Sequence, residues 1–284
     1  MRSTAAAVML FTMGSIIAYG AALAAIFILS ASPNQLAPFE PTGPWTVEVS
    51  EGVCLVGRTF GPNQQQPTLG FRKSPNAEDF EVSLWVNEPS KDGSYGTAQL
   101  TLDRLPPIEA KYSKGPVSIP GMQLIRISTE QPELDALVST KTLAIKAGDF
   151  HAAFYLRNVK RALDALASCE RDLLISWGMD PAVLATIATP PRGELARFFS
   201  TNDYPTDAIG MKKQGTAGVR FWVTTGGKVR DCKIVASAGH PLLDSKTCQV
   251  LTKRGRLEPA RTKEGVAVES ISFARVNWMM PTRY

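Results

Sequence analysis

The run at residues 215–235 constrains the fold more than any other part of the chain. Two segments rich in β-branched and aromatic residues, Val219-Arg220-Phe221-Trp222-Val223 and Val229-Arg230-Asp231-Cys232-Lys233-Ile234-Val235, flank Gly226-Gly227. Both glycines tolerate the positive φ that a two-residue hairpin turn demands, so the run predicts a β-hairpin. After a break at 237–240 comes Pro241, which suits the first turn of a helix. Leu243, Thr247, Val250 and Leu251 then recur at helical spacing. They predict a helix from about Pro241 to Arg254 that stops at Gly255. Residues 257–260 read as a proline-broken connector, and 266–278 as one long strand without a sharp polar face. The order is strand, strand, helix, strand.

A chain of 284 residues with 44% hydrophobic content can bury more than one core, and two domains are expected. Charge is unevenly placed. From Arg192 onward 16 Lys+Arg stand against 8 Asp+Glu, whereas the rest of the chain has 15 against 18. The basic residues are scattered singly among strands and turns, which describes a solvated surface, and no nucleic-acid partner is expected.

Residues 5–31 are almost wholly apolar, and Tyr19 is the only ionisable side chain between Ser3 and Phe39. At 1.5 Å per residue such a segment spans a hydrocarbon core of ~30 Å. It predicts a transmembrane anchor at 1–31, with Arg2 holding the N-terminus in the cytoplasm and the remainder exported. The alternative is a signal peptide cleaved after Ala22-Leu23-Ala24 or Leu29-Ser30-Ala31, although the apolar run continues past the first of these. Residues 32–44 carry four prolines and form a linker whose fully extended reach is roughly 45 Å.

Residues 45–188 read as a middle domain. Strand-like segments at 45–49, 53–60, 68–72, 81–86 and 98–102 are separated by Gly, Pro, Asn and Ser, with further strands at 122–128 and 142–145. This spacing suggests an antiparallel sandwich or curved sheet. The period then changes. Val159, Ala162, Leu163, Leu166, Cys169 and Leu173 form one helical stripe ending near Trp177-Gly178, and Asp180-Pro181 opens a second short helix. A second linker at 189–200, opened by Thr189-Pro190-Pro191-Arg192-Gly193, leads to a C-terminal domain at 201–284. The fold class is α+β: an N-terminal transmembrane helix, a mainly β middle domain with a C-terminal helix, and a small ββαβ domain.

Four cysteines in an exported chain predict disulfides, with three pairings formally open. They divide two and two between the domains. Cys54 with Cys169 would tie an early strand to the late helix, and Cys232 with Cys248 would lock the helix onto the hairpin. A structural zinc site needs four ligands at tight spacing, and neither a Cys-x-x-Cys pair nor a histidine cluster is present.

The C-terminal residues resemble a known family. Tyr204-Pro205, Gln214-Gly215-Thr216, the spaced Val219, Phe221 and Val223, then Gly227 and Val229, Ser237 and Gly239, Leu243-Asp244, Glu258-Pro259-Ala260, Gly265 and Trp278 are similar to the C-terminal domain of TonB proteins. The resemblance covers about the last eighty residues. It implies a single-pass inner-membrane protein with periplasmic domains that grips an extended peptide of an outer-membrane receptor or other envelope protein. The wider implied role is energised outer-membrane transport with a proton-channel membrane complex, and such domains can also pair as homodimers. It further implies that the last strand offers the binding edge, at Ser270, Ile271, Ser272, Phe273, Ala274, Arg275 and Val276, with Ile271 and Phe273 as side-chain contacts. Strand addition of this kind takes affinity from main-chain hydrogen bonds. Two departures stand out. Energised members carry Ser-x-x-x-His in the anchor, where this chain has Ser15 and Tyr19, and their long Pro-rich stalk is replaced here by the middle domain.

No enzyme signature and no cofactor motif emerges. The two histidines, His151 and His240, read as a strand-edge residue and a turn residue at a helix start. Asp103, Glu109, Glu133 and Asp135 read as loop carboxylates. Gly226-Gly227 precedes a strand, unlike a phosphate-binding loop. The competing readings are a non-energised periplasmic docking protein and an exported hydrolase in the middle domain, the latter needing His151 beside Ser139 or Ser168.

Overall fold

Alternating burial builds the middle domain. In the segments Ser94–Leu102, Ile108–Pro116 and Thr142–Ala147, buried and exposed residues alternate as a pleated strand with one wet face requires. The computed structural model describes residues 36–50, 52–62, 67–77, 79–88, 93–117, 119–130 and 136–280. The anchor expected at 1–31, with Ser15 and Tyr19, lies outside the described residues. Among these, no helix is long and apolar enough to cross a membrane.

Among the described residues nine strands precede the first α-helix: β1 Thr46–Ser50, β2 Val53–Thr59, β3 Thr68–Lys73, β4 Asp79–Asn87, β5 Ser94–Leu102, β6 Ile108–Pro116, β7 Met122–Glu130, β8 Thr142–Ala147 and β9 Phe150–Tyr155. They form one antiparallel sheet in the order β1-β2-β3-β4-β7-β6-β5-β8-β9. Strand β6 lies where no strand was expected, so Glu109 sits in it and not in a loop, and β9 extends from the strand edge expected at His151. Residues 39–42 close the sheet. Phe39 donates to Ala153 O (2.7 Å) and accepts from Tyr155 N–H (3.1 Å), while Thr42 donates to Thr59 O (3.1 Å). Part of the expected proline-rich linker is thus built into the sheet, joining β9 to the end of β2.

Helix α1 (Val159–Ser176) packs the stripe of Val159, Ala162 and Leu166 against the inner sheet face, in one cluster with Phe60, Phe71 and Phe154. Cys169 of α1 is disulfide-bonded to Cys54 of β2. Helix α2 (Pro181–Thr186) is capped by Asp180, whose carboxylate accepts from Ala182 N–H (2.8 Å).

The chain then runs through β10 (Ile187–Thr189), two short 3₁₀ turns, α3 (Thr206–Gly210), β11 (Gly215–Val223), β12 (Val229–Ala236), α4 (Pro241–Arg254), β13 (Ala260–Thr262), β14 (Ala267–Val268) and β15 (Ser270–Trp278). β12, β11 and β15 make a three-stranded antiparallel sheet in that order, and α4 covers one face through Leu243, Thr247, Val250 and Leu251. Cys232 of β12 is disulfide-bonded to Cys248 of α4.

Two details differ from the sequence reading. The hairpin turn is longer than two residues: Gly227 N–H donates to Thr224 O (2.8 Å), Thr224 N–H donates to Lys228 O (2.9 Å), and of the two glycines only Gly227 has positive φ, at 78°. The long strand expected at 266–278 breaks at Glu269, because β14 pairs with β13 whereas β15 pairs with β11. The Glu269 carboxylate accepts from Arg230 Nε (2.9 Å) at the break. The second linker is not free either. β10 pairs with β13, and Arg192 and Glu258 exchange backbone hydrogen bonds at 3.1 and 2.8 Å. The described residues, from Leu36 to Met280, accordingly form one compact unit.

Candidate binding edge

β15 is an edge strand: its ladder partner is β11, from Gly215 opposite Trp278 to Val223 opposite Ser270, in unbroken register. Along an antiparallel pair, alternate residues direct both backbone groups toward the partner or away from it. The Ile271 carbonyl accepts from Asn76 Nδ2 (2.8 Å), a residue of the β3–β4 turn, so Ile271 faces away from β11. By the same alternation Phe273, Arg275 and Asn277 present their N–H and C=O groups on the outer edge. Ser272, Ala274 and Val276 bond inward to β11.

The side chains divide the same way. Ala274 and Trp278 join the core beneath α4, where Trp278 Nε1 donates to the fully buried Thr247 Oγ1 (2.8 Å) and Thr247 donates on to Leu243 O (2.8 Å). Tyr204 meets Trp278 edge to face (5.3 Å between centroids), and its hydroxyl donates to Lys213 O (2.6 Å). The opposite face belongs to the middle domain. Ile271 is buried with Leu174 and Met179, and Trp222, Trp177 and Leu184 pack around them. The Phe273 ring stacks on Trp177, 6.4 Å between centroids and 22° between planes. Gly52, in the β1–β2 turn, comes so close that a Cβ there would lie 2.5 Å from Val235 Cγ2 and 3.4 Å from Phe273.

Polar groups continue the contact. Glu81, on the outer face of β4, has Arg275 Nη1 at 3.4 Å, Arg126 at 3.7 Å and Arg72 at 3.9 Å, and its Oε1 accepts from Ser83 Oγ (2.6 Å). The strand borders open space. A trench of about 520 Å³ runs beside Ser272, Phe273, Ala274 and Arg275, walled by Arg72, Ser74, Glu81 and Ser128 on one side and by Arg192, Leu195 and Leu257 on the other. A second hollow of about 320 Å³ lies over the face of the three-stranded sheet, from Arg275 and Asn277 across Thr216 and Gly218 to Ala236, with Ser113 and Arg126 opposite.

The seven residues Ser270 to Val276 therefore sit on one edge strand, but they are not equally open. Ser270, Ile271, Ser272, Phe273 and Ala274 are buried, Arg275 and Val276 are half-buried, and Asn277 is exposed. Ile271 and Phe273, read from the sequence as partner contacts, are packed against the middle domain. Asn76, Glu81 and Trp177 were missed because nothing in their local sequence marks a contact with a strand about a hundred or more positions away.

Beneath the edge, Asp203 is buried and receives Nη1 of Arg254 (2.8 Å), Ser200 N–H (2.8 Å) and Ser200 Oγ–H (2.9 Å). The Arg254 guanidinium, aided by Ser200, holds its carboxyl well below the usual range against the opposing effect of burial. His240 caps α4, Nδ1 accepting from Leu242 N–H (3.3 Å). His151 is exposed in β9, Ser139 donates to Ala136 O (3.2 Å) and Ser168 is exposed on α1, so among the described residues no hydrogen bond joins the histidine to either serine. Asp103 accepts from the backbone of Lys141 and Thr142, and Glu133 and Asp135 lie outside the described residues.

Residues 200–280 match the family described as Gram-negative bacterial TonB protein C-terminal. No curated protein and no solved structure matches the chain. The match ends short of the middle domain.

Proposed function

We propose that the chain, whose C-terminal domain is of the TonB family, is an envelope protein that holds an extended peptide of a partner by adding it as a strand to the outer edge of β15. The observation that carries this reading is the edge position of β15, with the outward backbone groups of Phe273 and Arg275 beside the trench and Asn277 exposed beyond them. An added strand would bond to those residues without disturbing the ladder to β11. The role is one of binding, not catalysis. Inner-membrane anchoring through residues 1–31, with the described domains in the periplasm, belongs to the same proposal.

A non-energised docking protein is the second reading, and one observation favours it. Residues 39–42 of the proline-rich spacer at 32–44 are held in the middle-domain sheet, which shortens an already short reach. Asn277→Pro tests the binding role, since it deletes an outward amide from an exposed position. Capture of an outer-membrane receptor by the native chain and not by this variant, from solubilised envelopes, supports strand addition at this edge. Equal capture by both sinks it. Recovery of a proton-channel complex alongside the receptor separates the energised reading from the docking one.

A further inference from the structure

The half of β15 nearest Ser270 is already in use. Asn76 places a carboxamide donor on the Ile271 carbonyl, where the first N–H of an added strand would bond. Trp177 covers the Phe273 ring, and Glu81 engages Arg275 at the far end of the buried stretch. All three residues belong to the middle domain or to the helix that ends it. A partner strand running the length of the edge and the β3–β4 turn cannot occupy the Ile271 position together.

We infer that the middle domain is a built-in competitor for the outer edge of β15, so that a partner gains the whole edge only when the Asn76 and Trp177 contacts let go. The inference rests on the strand-addition reading above. With the contacts made, the Ile271 carbonyl is taken and the outward groups from Phe273 to Asn277 are left for a shorter strand. With them broken, the edge extends to Ile271, and each further outward residue offers two hydrogen bonds. Apparent affinity for a long strand then equals the intrinsic affinity scaled by the fraction of molecules in which the contacts are broken. A change that weakens the closed contact therefore tightens binding without touching the partner.

Asn76→Gly makes that change cleanly. Asn76 has φ of 52°, a conformation glycine adopts freely, so the turn is retained while the carboxamide is lost. One ordinary hydrogen bond is worth about fivefold in an equilibrium. The experiment uses the full chain in detergent micelles and, as probe, a fluorescein-labelled peptide of alternating threonine and valine, eight residues long. Binding is read by anisotropy, and mobility by amide exchange over 270–278. Asn76→Gly is expected to bind the peptide about fivefold tighter than the native chain and to exchange faster over 270–278. Trp177→Ala should add to both effects, and Asn277→Pro in the Asn76→Gly background should abolish the binding. Equal peptide affinity and unchanged exchange in Asn76→Gly would overturn the inference while leaving strand addition intact. Faster exchange with no binding by any variant would overturn strand addition, and the competition with it.

Discussion

Thr247→Val should destabilise the C-terminal domain by about 2 kcal/mol, and the reason lies in one indole. Thr247 is wholly buried in α4, and its Oγ1 accepts the Trp278 N–H at 2.8 Å. Valine has nearly the same shape, so the substitution opens no cavity. The Leu243 carbonyl, to which Thr247 also donates, keeps its place in the helical ladder. What is lost is the acceptor of the Trp278 N–H, a donor in a ring that is 5% exposed. A buried donor without an acceptor costs about 1–3 kcal/mol. Thr247→Ser keeps the hydroxyl and loses a methyl group, about 1 kcal/mol. The decisive comparison is a double-mutant cycle with Trp278→Phe. Phenylalanine has no N–H to strand, so Thr247→Val should cost little in that background, a coupling of about 1–2 kcal/mol. Urea unfolding at pH 7, followed by far-UV circular dichroism, gives all four values. If Thr247→Val costs under about 0.5 kcal/mol, or if the double variant equals the sum of the singles, the hydroxyl is not what holds Trp278 and the end of β15.

Three other outcomes follow from the same domain. Replacing Cys232 and Cys248 with serine opens a loop of sequence separation 16 and should cost about 3 kcal/mol, seen as a lower urea midpoint under oxidising conditions, where the Cys54–Cys169 bond is kept. Gly227→Ala should cost more than about 1 kcal/mol, because its φ is 78° and the new Cβ would lie 2.0 Å from Leu257 O; thermal melting measures it, and an unchanged melting temperature counts against the turn geometry. Asp203 ionises more readily in the folded chain than in the unfolded one, so its contribution is present above the unfolded value of about 4 and is lost as pH falls below it. Melting temperatures between pH 7 and pH 3 should fall less steeply for Asp203→Asn than for the native chain, and parallel slopes would refute the role of the Arg254 pair.

Much of the C-terminal domain was legible because each local signal agreed with its neighbours. Pro241, the Leu243-Thr247-Val250-Leu251 stripe and Gly255 mark a helix that runs Pro241–Arg254. The two cysteine pairs followed from their division between domains. The middle domain was less readable. In β6 the inward set is Ala110, Tyr112 and Lys114, and a lysine obscures the alternation. Lys114 is buried because Glu88 and Asp149 both pair with it, and these partners lie 26 and 35 positions away. In β9 two alanines weaken the hydrophobic signal. The greatest loss concerns the binding edge. Arg72, Glu81, Arg126 and Ser128 form the polar face of their strands, which reads as a face toward water, and here it lies against the strand expected to bind a partner. Period-two patterning distinguishes inside from outside within a domain, and carries no information about which polar face a second domain covers.

The pairing of β10 with β13, continued by Arg192 and Glu258, has a consequence for how the edge responds to its surroundings. These bonds lie outside the contact made by Asn76, Trp177 and Glu81, so in the competition inferred above they tether the β3–β4 turn beside β15 when that contact opens. Its effective concentration at the edge is then fixed by the geometry of one molecule. The amount of protein in the envelope does not alter the fraction of edges that stand open. A partner present at low abundance, or presenting a short strand, meets the same resistance on every copy, and the threshold for capture becomes a property of the chain and not of its expression level.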